Sequence, residues 1–183
     1  MSRRPLNLMK ALELFEALEL LLRERRTIRG RREITYRKQL RNYNIMLLQL
    51  TNGLSVSEAI ECYYRFLETG ERRHLVHMAQ SKGRFKLCIV PHFITELDLE
   101  LTKNLVIPPR KMQSRLSSIL ARRGYGFNTD DLRRAFYNYL VKGEADHVTI
   151  SKIVDLKAFD KIVELVHEII KRRFPAEVEV EVV

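Results

Sequence analysis

Apolar residues recur along much of the chain at three- and four-residue steps, which place them on one face of an α-helix. Leu8, Leu12, Phe15, Leu18 and Leu22 follow Pro5 in this way, so they predict a first helix that the basic segment 29–31 ends. The same periodicity, with glycines at the helix ends, predicts six further helices at about 36–51, 55–68, 110–123, 129–143, 147–154 and 157–173.

A β pattern occurs at two places. Residues 74–80 and 85–90 flank the turn 81–84 and predict a hairpin, which Pro91 ends. In the tail, valine and glutamate alternate over 178–182, as they do in a strand. We expect 177–183 to add as an edge strand to the hairpin, either of the same chain or of a partner chain. Pairing with a partner chain would make a homo-oligomer. The alternative is that these residues form a frayed tail. The predicted fold is mainly α with a small antiparallel β-sheet, an α+β class.

Composition narrows the class of protein. With 183 residues, 45% of them apolar, the chain can bury the core of one domain. A charged fraction of 31%, a mean hydropathy of −0.24 and the lack of an 18-residue apolar run predict no membrane partner. Two cysteines, Cys62 and Cys88, predict no disulfide framework or zinc site and an intracellular, reducing compartment, with Cys62 as a thiol in the core.

The common chemical signatures are missing. The sequence has no P-loop, no G-x-G-x-x-G, no H-E-x-x-H and no G-x-S-x-G. His74 and His77 are three residues apart on a predicted strand, so they would point to opposite faces of it. We therefore expect no metal site and no cofactor.

Charge is the strongest bulk signal. The 33 basic residues outnumber the 23 acidic ones and leave a net charge of +10, which favours a polyanionic partner. The surplus lies in two clusters: nine basic residues against two acidic ones over 23–41, and seven against two over 110–134. A solvated face would explain either cluster alone, whereas the two together favour nucleic acid.

Three segments then follow in an informative order. Gly53-Leu54-Ser55-Val56-Ser57-Glu58 comes first, the Lys82-bearing hairpin turn second, and Asp130-Asp131-Leu132-Arg133-Arg134-Ala135-Phe136 last. The order resembles the catalytic domain of tyrosine recombinases, the phage-integrase and Xer family, and above all its compact archaeal and viral integrases. That family reads TGLR-x-SE, then a lysine-bearing hairpin, then H-x-LRR-x-F. The resemblance implies an integrase-like domain over 36–175, between an N-terminal helix with a basic link (1–35) and a C-terminal strand or tail (176–183).

The resemblance also implies a chemistry that this sequence meets only in part. Strand cleavage in the family uses a tyrosine nucleophile, two arginines on the phosphate, a lysine and a histidine. Lys82 matches the lysine and Arg133 the second arginine, whereas Ser55 stands at the first arginine and Asp130 at the histidine. No tyrosine follows Tyr139, where the family has its nucleophile. Lys82 and Arg133 are thus remnants, and we expect a recombinase-like fold that is not an enzyme.

The predicted function is binding of double-stranded DNA by a cytoplasmic, nucleoid-associated protein. Two alternatives stay open: an active or trans-complemented site-specific recombinase, and a protein-interaction regulator of one. The expected DNA contacts are the basic residues of the hairpin and of the second cluster: Lys82, Arg84, Lys86, Arg110, Lys111, Arg115, Arg122, Arg123, Arg133 and Arg134.

Overall fold

The computed structural model describes residues 12–79, 82–105, 107–143 and 156–175. Their elements are, in chain order, α1 (Leu14–Thr27), a 3₁₀ turn (Ile28–Gly30), α2 (Glu33–Asn52), α3 (Val56–Thr69), β1 (Arg73–His77), β2 (Phe85–Ile89), α4 (Glu96–Thr102), α5 (Pro109–Arg123), α6 (Thr129–Gly143) and α7 (Leu156–Arg173). The predicted fold class is confirmed, since the described part is mostly helical with a two-stranded antiparallel sheet.

Helix α2 is the centre of the core. From Leu40 to its end every residue is buried, because α1, α3, α4, α5 and α6 pack around it. The leucine face predicted for the first helix is present in part. Leu18 and Leu22 of α1 are buried as predicted, together with Leu14 and Leu21, which the prediction did not include. Leu12 and Phe15 are half-buried, and Leu8 lies outside the described residues. A helix that is buried on all sides needs most of its polar side chains paired, and this requirement shapes the electrostatics of the molecule.

The junction of α2 and α3 follows from local sequence signals. Gly53 ends α2 with a φ of 64°, a left-handed conformation that glycine adopts without steric cost. A Cβ at Gly53 would also lie 2.7 Å from the Phe136 ring, so α6 packs directly on this turn. Ser55 then begins α3 through a capping box with Glu58, in which each side chain bonds the other residue's backbone N–H.

The hairpin is built in the predicted place. Arg73 pairs with Ile89 and His77 with Phe85, so β1 and β2 run antiparallel. His74 and Val76 of β1 point inward with Cys88 of β2, while His77 is exposed. Helix α3 packs against β1 and α7 packs against β2, which supplies the support that a two-stranded hairpin needs.

The structure corrects the prediction for the cysteines. Cys62 of α3 and Cys88 of β2 are joined in a disulfide, with their Cα atoms 6.5 Å apart, so Cys62 is not a free thiol. The two residues are buried where α3 packs on the hairpin. The residues around each cysteine in the sequence do not indicate that the two are close together. The disulfide removes the argument for a reducing compartment.

Helix α4 was not predicted. It is only seven residues long, which is too short for a periodic pattern, and the acidic residues of 96–100 favoured an exposed segment over a helix. Its capping box of Thr95 and Asp98 was the signal that could have revealed it. Among the described helices none is long and apolar enough to cross a membrane. The predicted helix 147–154 and the predicted strand 177–183 lie outside the described residues, and the division at residues 35 and 175 stays a prediction.

Candidate nucleic-acid interface

The position of the family's first arginine is the N-cap of α3. Ser55 accepts a hydrogen bond from the Glu58 backbone N–H, and its own N–H donates to Glu58 Oε2 at 2.8 Å. The Ser55 hydroxyl also lies 3.2 Å from that of Ser57. The residue here therefore starts a helix and brings no positive charge to the site.

Glu58 and Lys86 form a buried ion pair. Lys86 Nζ lies 2.7 Å from Glu58 Oε2 and donates to the Gly53 carbonyl at 3.2 Å. Glu58 also accepts the Ala79 backbone N–H at 3.0 Å, so it ties both arms of the hairpin to α3. Burial by itself would raise the pKa of Glu58, but the Lys86 ammonium and these hydrogen bonds outweigh it and hold the pKa below its ordinary value.

This pair corrects the prediction that Lys86 contacts DNA. The Lys86 side chain is 3% exposed and its charge is neutralised by Glu58, so in this conformation it presents nothing to solvent. The reason is the pleat: Lys86 is opposite Val76 on the inward face of the hairpin. The sequence did not reveal this, because the carboxylate that makes burial of a lysine tolerable comes from α3, a distant segment.

Arg133 lies close to that pair. Burial lowers the pKa of Lys86, the Glu58 carboxylate opposes this, and the Arg133 charge lowers it further. Arg133 also lies over the Tyr137 ring one turn along α6, with its guanidinium carbon 5.8 Å from the ring centroid. Burial raises the pKa of Tyr137, an effect that Arg133 opposes and the Glu58 charge reinforces. Glu58, Lys86, Arg133 and Tyr137 thus form one cluster, which we call the Glu58 cluster.

The residues that match the family's lysine and histidine are both at the surface. Lys82 is exposed in the hairpin turn and has no ion pair within the described ranges. Asp130 is exposed in the first turn of α6, where its carboxylate favours the helix dipole. Among the described residues, the lysine whose pKa the Arg133 charge lowers is Lys86.

Eight of the predicted DNA-contacting residues are exposed, and Arg133 is half-buried. Helix α5 supplies most of them, because its apolar side (Met112, Leu116, Ile119 and Leu120) faces the core and leaves the basic side outside. In the described part of the chain, Arg123 alone among these eight has an acidic partner, Glu24 at 3.4 Å. The exposed set is Lys82, Arg84, Arg110, Lys111, Arg115, Arg122, Arg123 and Arg134.

Part of the N-terminal basic cluster has a structural role. Arg25 donates to Asn44 at 2.9 Å and to the Phe93 carbonyl at 2.8 Å, and it lies 3.4 Å from Asp98 of α4. Arg41 is buried and donates to the Leu105 carbonyl at 2.6 Å. Sequence reasoning counted both as free charge, although they join α1 and α2 to the segment around α4.

Comparison with known proteins gives one relative for part of the chain. The chain is 34% identical over 121 residues to a protein described as "Putative integrase ORF241" of Acidianus two-tailed virus. The match covers 65% of this chain and 48% of that relative, so the chain spans about half the length of the curated relative that it matches. No family model matches the chain, and no solved structure does. The similarity supports the integrase-like relationship and fits the recombinase-like fold that the three motifs predicted.

Proposed function

We propose that the protein binds double-stranded DNA through the basic side of α5, the hairpin turn and the start of α6. The observation that carries the proposal is the set of eight exposed cationic side chains, of which seven have no acidic partner in the described part of the chain. Charges arranged in this way attract phosphates irrespective of base sequence, and their binding depends on salt.

A fluorescence-anisotropy titration of a labelled duplex tests this function. The candidate contacts are these eight side chains and Arg133. If five or six of the nine contact phosphates, log K should fall against log salt with a slope near −5, at about −0.9 per phosphate. A scrambled duplex of equal length should bind with the same slope. Failure to bind any duplex at low salt would contradict the proposal.

We further propose that the fold has lost strand cleavage. Ser55 leaves the phosphate without one of the family's two arginines, which would stabilise the charge of the transition state. No tyrosine follows Tyr139 in the sequence, where the family has its nucleophile. Two other expectations also stay predictions: that the chain forms a homo-oligomer through residues 177–183, and that it associates with the nucleoid.

One observation favours the catalytic alternative. Tyr137 lies against Arg133 in the Glu58 cluster, so a phenol and a guanidinium are present together. Burial raises the pKa of Tyr137, which makes its phenolate a rarer species at neutral pH. Because no tyrosine follows Tyr139, at the place where the family has its nucleophile, we expect no covalent protein–DNA adduct on nicked suicide substrates in a denaturing gel. An adduct formed by the wild type and lost in Tyr137→Phe would show that the chain is an active recombinase.

A further inference from the structure

A cleft lies between the start of α2 and the C-terminal end of α5. Its volume is about 230 Å³, several times the space of one water molecule at about 30 Å³. It is lined by Arg31, Gln39, Tyr43, Ile119, Arg122 and Arg123. We call it the Arg31 cleft. It lies at the end of α5 and is therefore continuous with the basic side of that helix.

The charges in the cleft are not balanced. Arg31 is exposed, and its side chain has no ion pair or hydrogen bond within the described ranges. Among the described residues, the Arg122 side chain donates a hydrogen bond only to the Ser118 carbonyl of its own helix, at 3.4 Å. Arg123 is paired with Glu24 at 3.4 Å. Three guanidinium groups thus share one carboxylate, and an anion in the cleft would relieve their mutual repulsion.

A polar group at the wall of the cleft also lacks a partner. Gln39 Oε1 is shielded from solvent and bonds to no described residue. Buried amides are nearly always hydrogen-bonded, so an unpaired one marks a missing partner. The unpaired atom is an acceptor and does not itself bind an anion, but the N–H₂ group of the same amide is a donor that an anion in the cleft can accept from.

From these three features we infer that the Arg31 cleft binds one phosphate of the DNA backbone, held by Arg31 and Arg122 together. Planar guanidinium forks match phosphate oxygens, which suits a pair of arginines to this ligand. The inference rests on the proposed duplex binding and adds to it a residue, Arg31, from the N-terminal basic cluster. It also joins that cluster to the α5 surface in one footprint.

Anisotropy titrations of Arg31→Gln, Arg122→Gln and the double variant test the inference. Arg172→Gln is the matched control, since it removes one exposed positive charge from α7, outside the cleft. Losing one phosphate contact should weaken binding about eightfold at 0.1 M salt and make the salt slope shallower by about 0.9. Because both arginines hold the same phosphate, the salt slope of the double variant should also be shallower by about 0.9 than that of the wild type. The control should match the wild type.

Other results would overturn the inference in recognisable ways. Single variants that bind like Arg172→Gln would show that the cleft is not part of the interface. A double variant whose salt slope is shallower by about 1.8 would mean that the two arginines contact two separate phosphates. Calorimetry with inorganic phosphate separates the sources of the anion. Phosphate binding that Arg31→Gln abolishes, with duplex binding unchanged, would assign the cleft to a free anion and refute the DNA contact. A wild type that binds no duplex would instead refute the proposed function itself. Melting curves check that each variant is folded.

Discussion

Reduction of the Cys62–Cys88 disulfide should destabilise the protein by an amount that its loop length sets. The two cysteines are 26 residues apart in sequence. In the chain-entropy model, opening such a loop returns about 12 cal/mol/K to the unfolded chain, or about 3.5 kcal/mol at 25 °C. A chain of this length unfolds with an entropy of about 0.38 kcal/mol/K, so the Tm should fall by about 9 °C.

The assay is a pair of circular-dichroism melts with and without a reductant. Both sulfurs are buried, so the protein should be unfolded in denaturant with the reductant and then refolded in its presence. The Cys62→Ala/Cys88→Ala variant is the control: its Tm should be low in both buffers, and lower than that of the reduced protein because two side chains leave small cavities. Two reactive thiols in the denatured, unreduced protein, or a Tm that reduction leaves unchanged, would refute the reasoning.

Three more expectations concern the core. Glu58→Gln should lower the free energy of unfolding in urea by about 3–5 kcal/mol, because it leaves the Lys86 charge buried without its partner; adding Lys86→Met should recover most of the loss. Burial lowers the pKa of His167 to about 3 against about 6.5 unfolded, so only the unfolded state takes up its proton as the pH falls. Between pH 6.5 and 5 the wild type should thus lose about 1.6 kcal/mol more than His167→Asn, and equal losses would contradict this. Gly53→Ala should destabilise by about 1–3 kcal/mol more than Gly124→Ala, since both have positive φ but only Gly53 is in close contact with α6.

Much of the secondary structure is determined by local pattern. Helix α5 begins at Pro109 and ends before Gly124, as a fixed φ at one end and a left-handed glycine at the other require. The hairpin falls where two apolar segments flank a turn. These features were predictable because residues within a few positions of one another decide them: a period of 3.6 or 2, a cap, or a turn.

The partners of the charged and reactive side chains depend on the tertiary structure instead. Lys86 and Arg133 look alike in sequence, as exposed cations near a motif, yet Lys86 is paired inside the core and Arg133 is half-buried over a tyrosine. Cys62 and Cys88 become a disulfide only because α3 packs on the hairpin. A charge can be buried, or two sulfurs joined, only where the fold brings a partner from a distant segment, and no local period carries that information. The sequence therefore determines where the helices and the surplus charge lie, and the tertiary structure decides which of those charges can meet a phosphate.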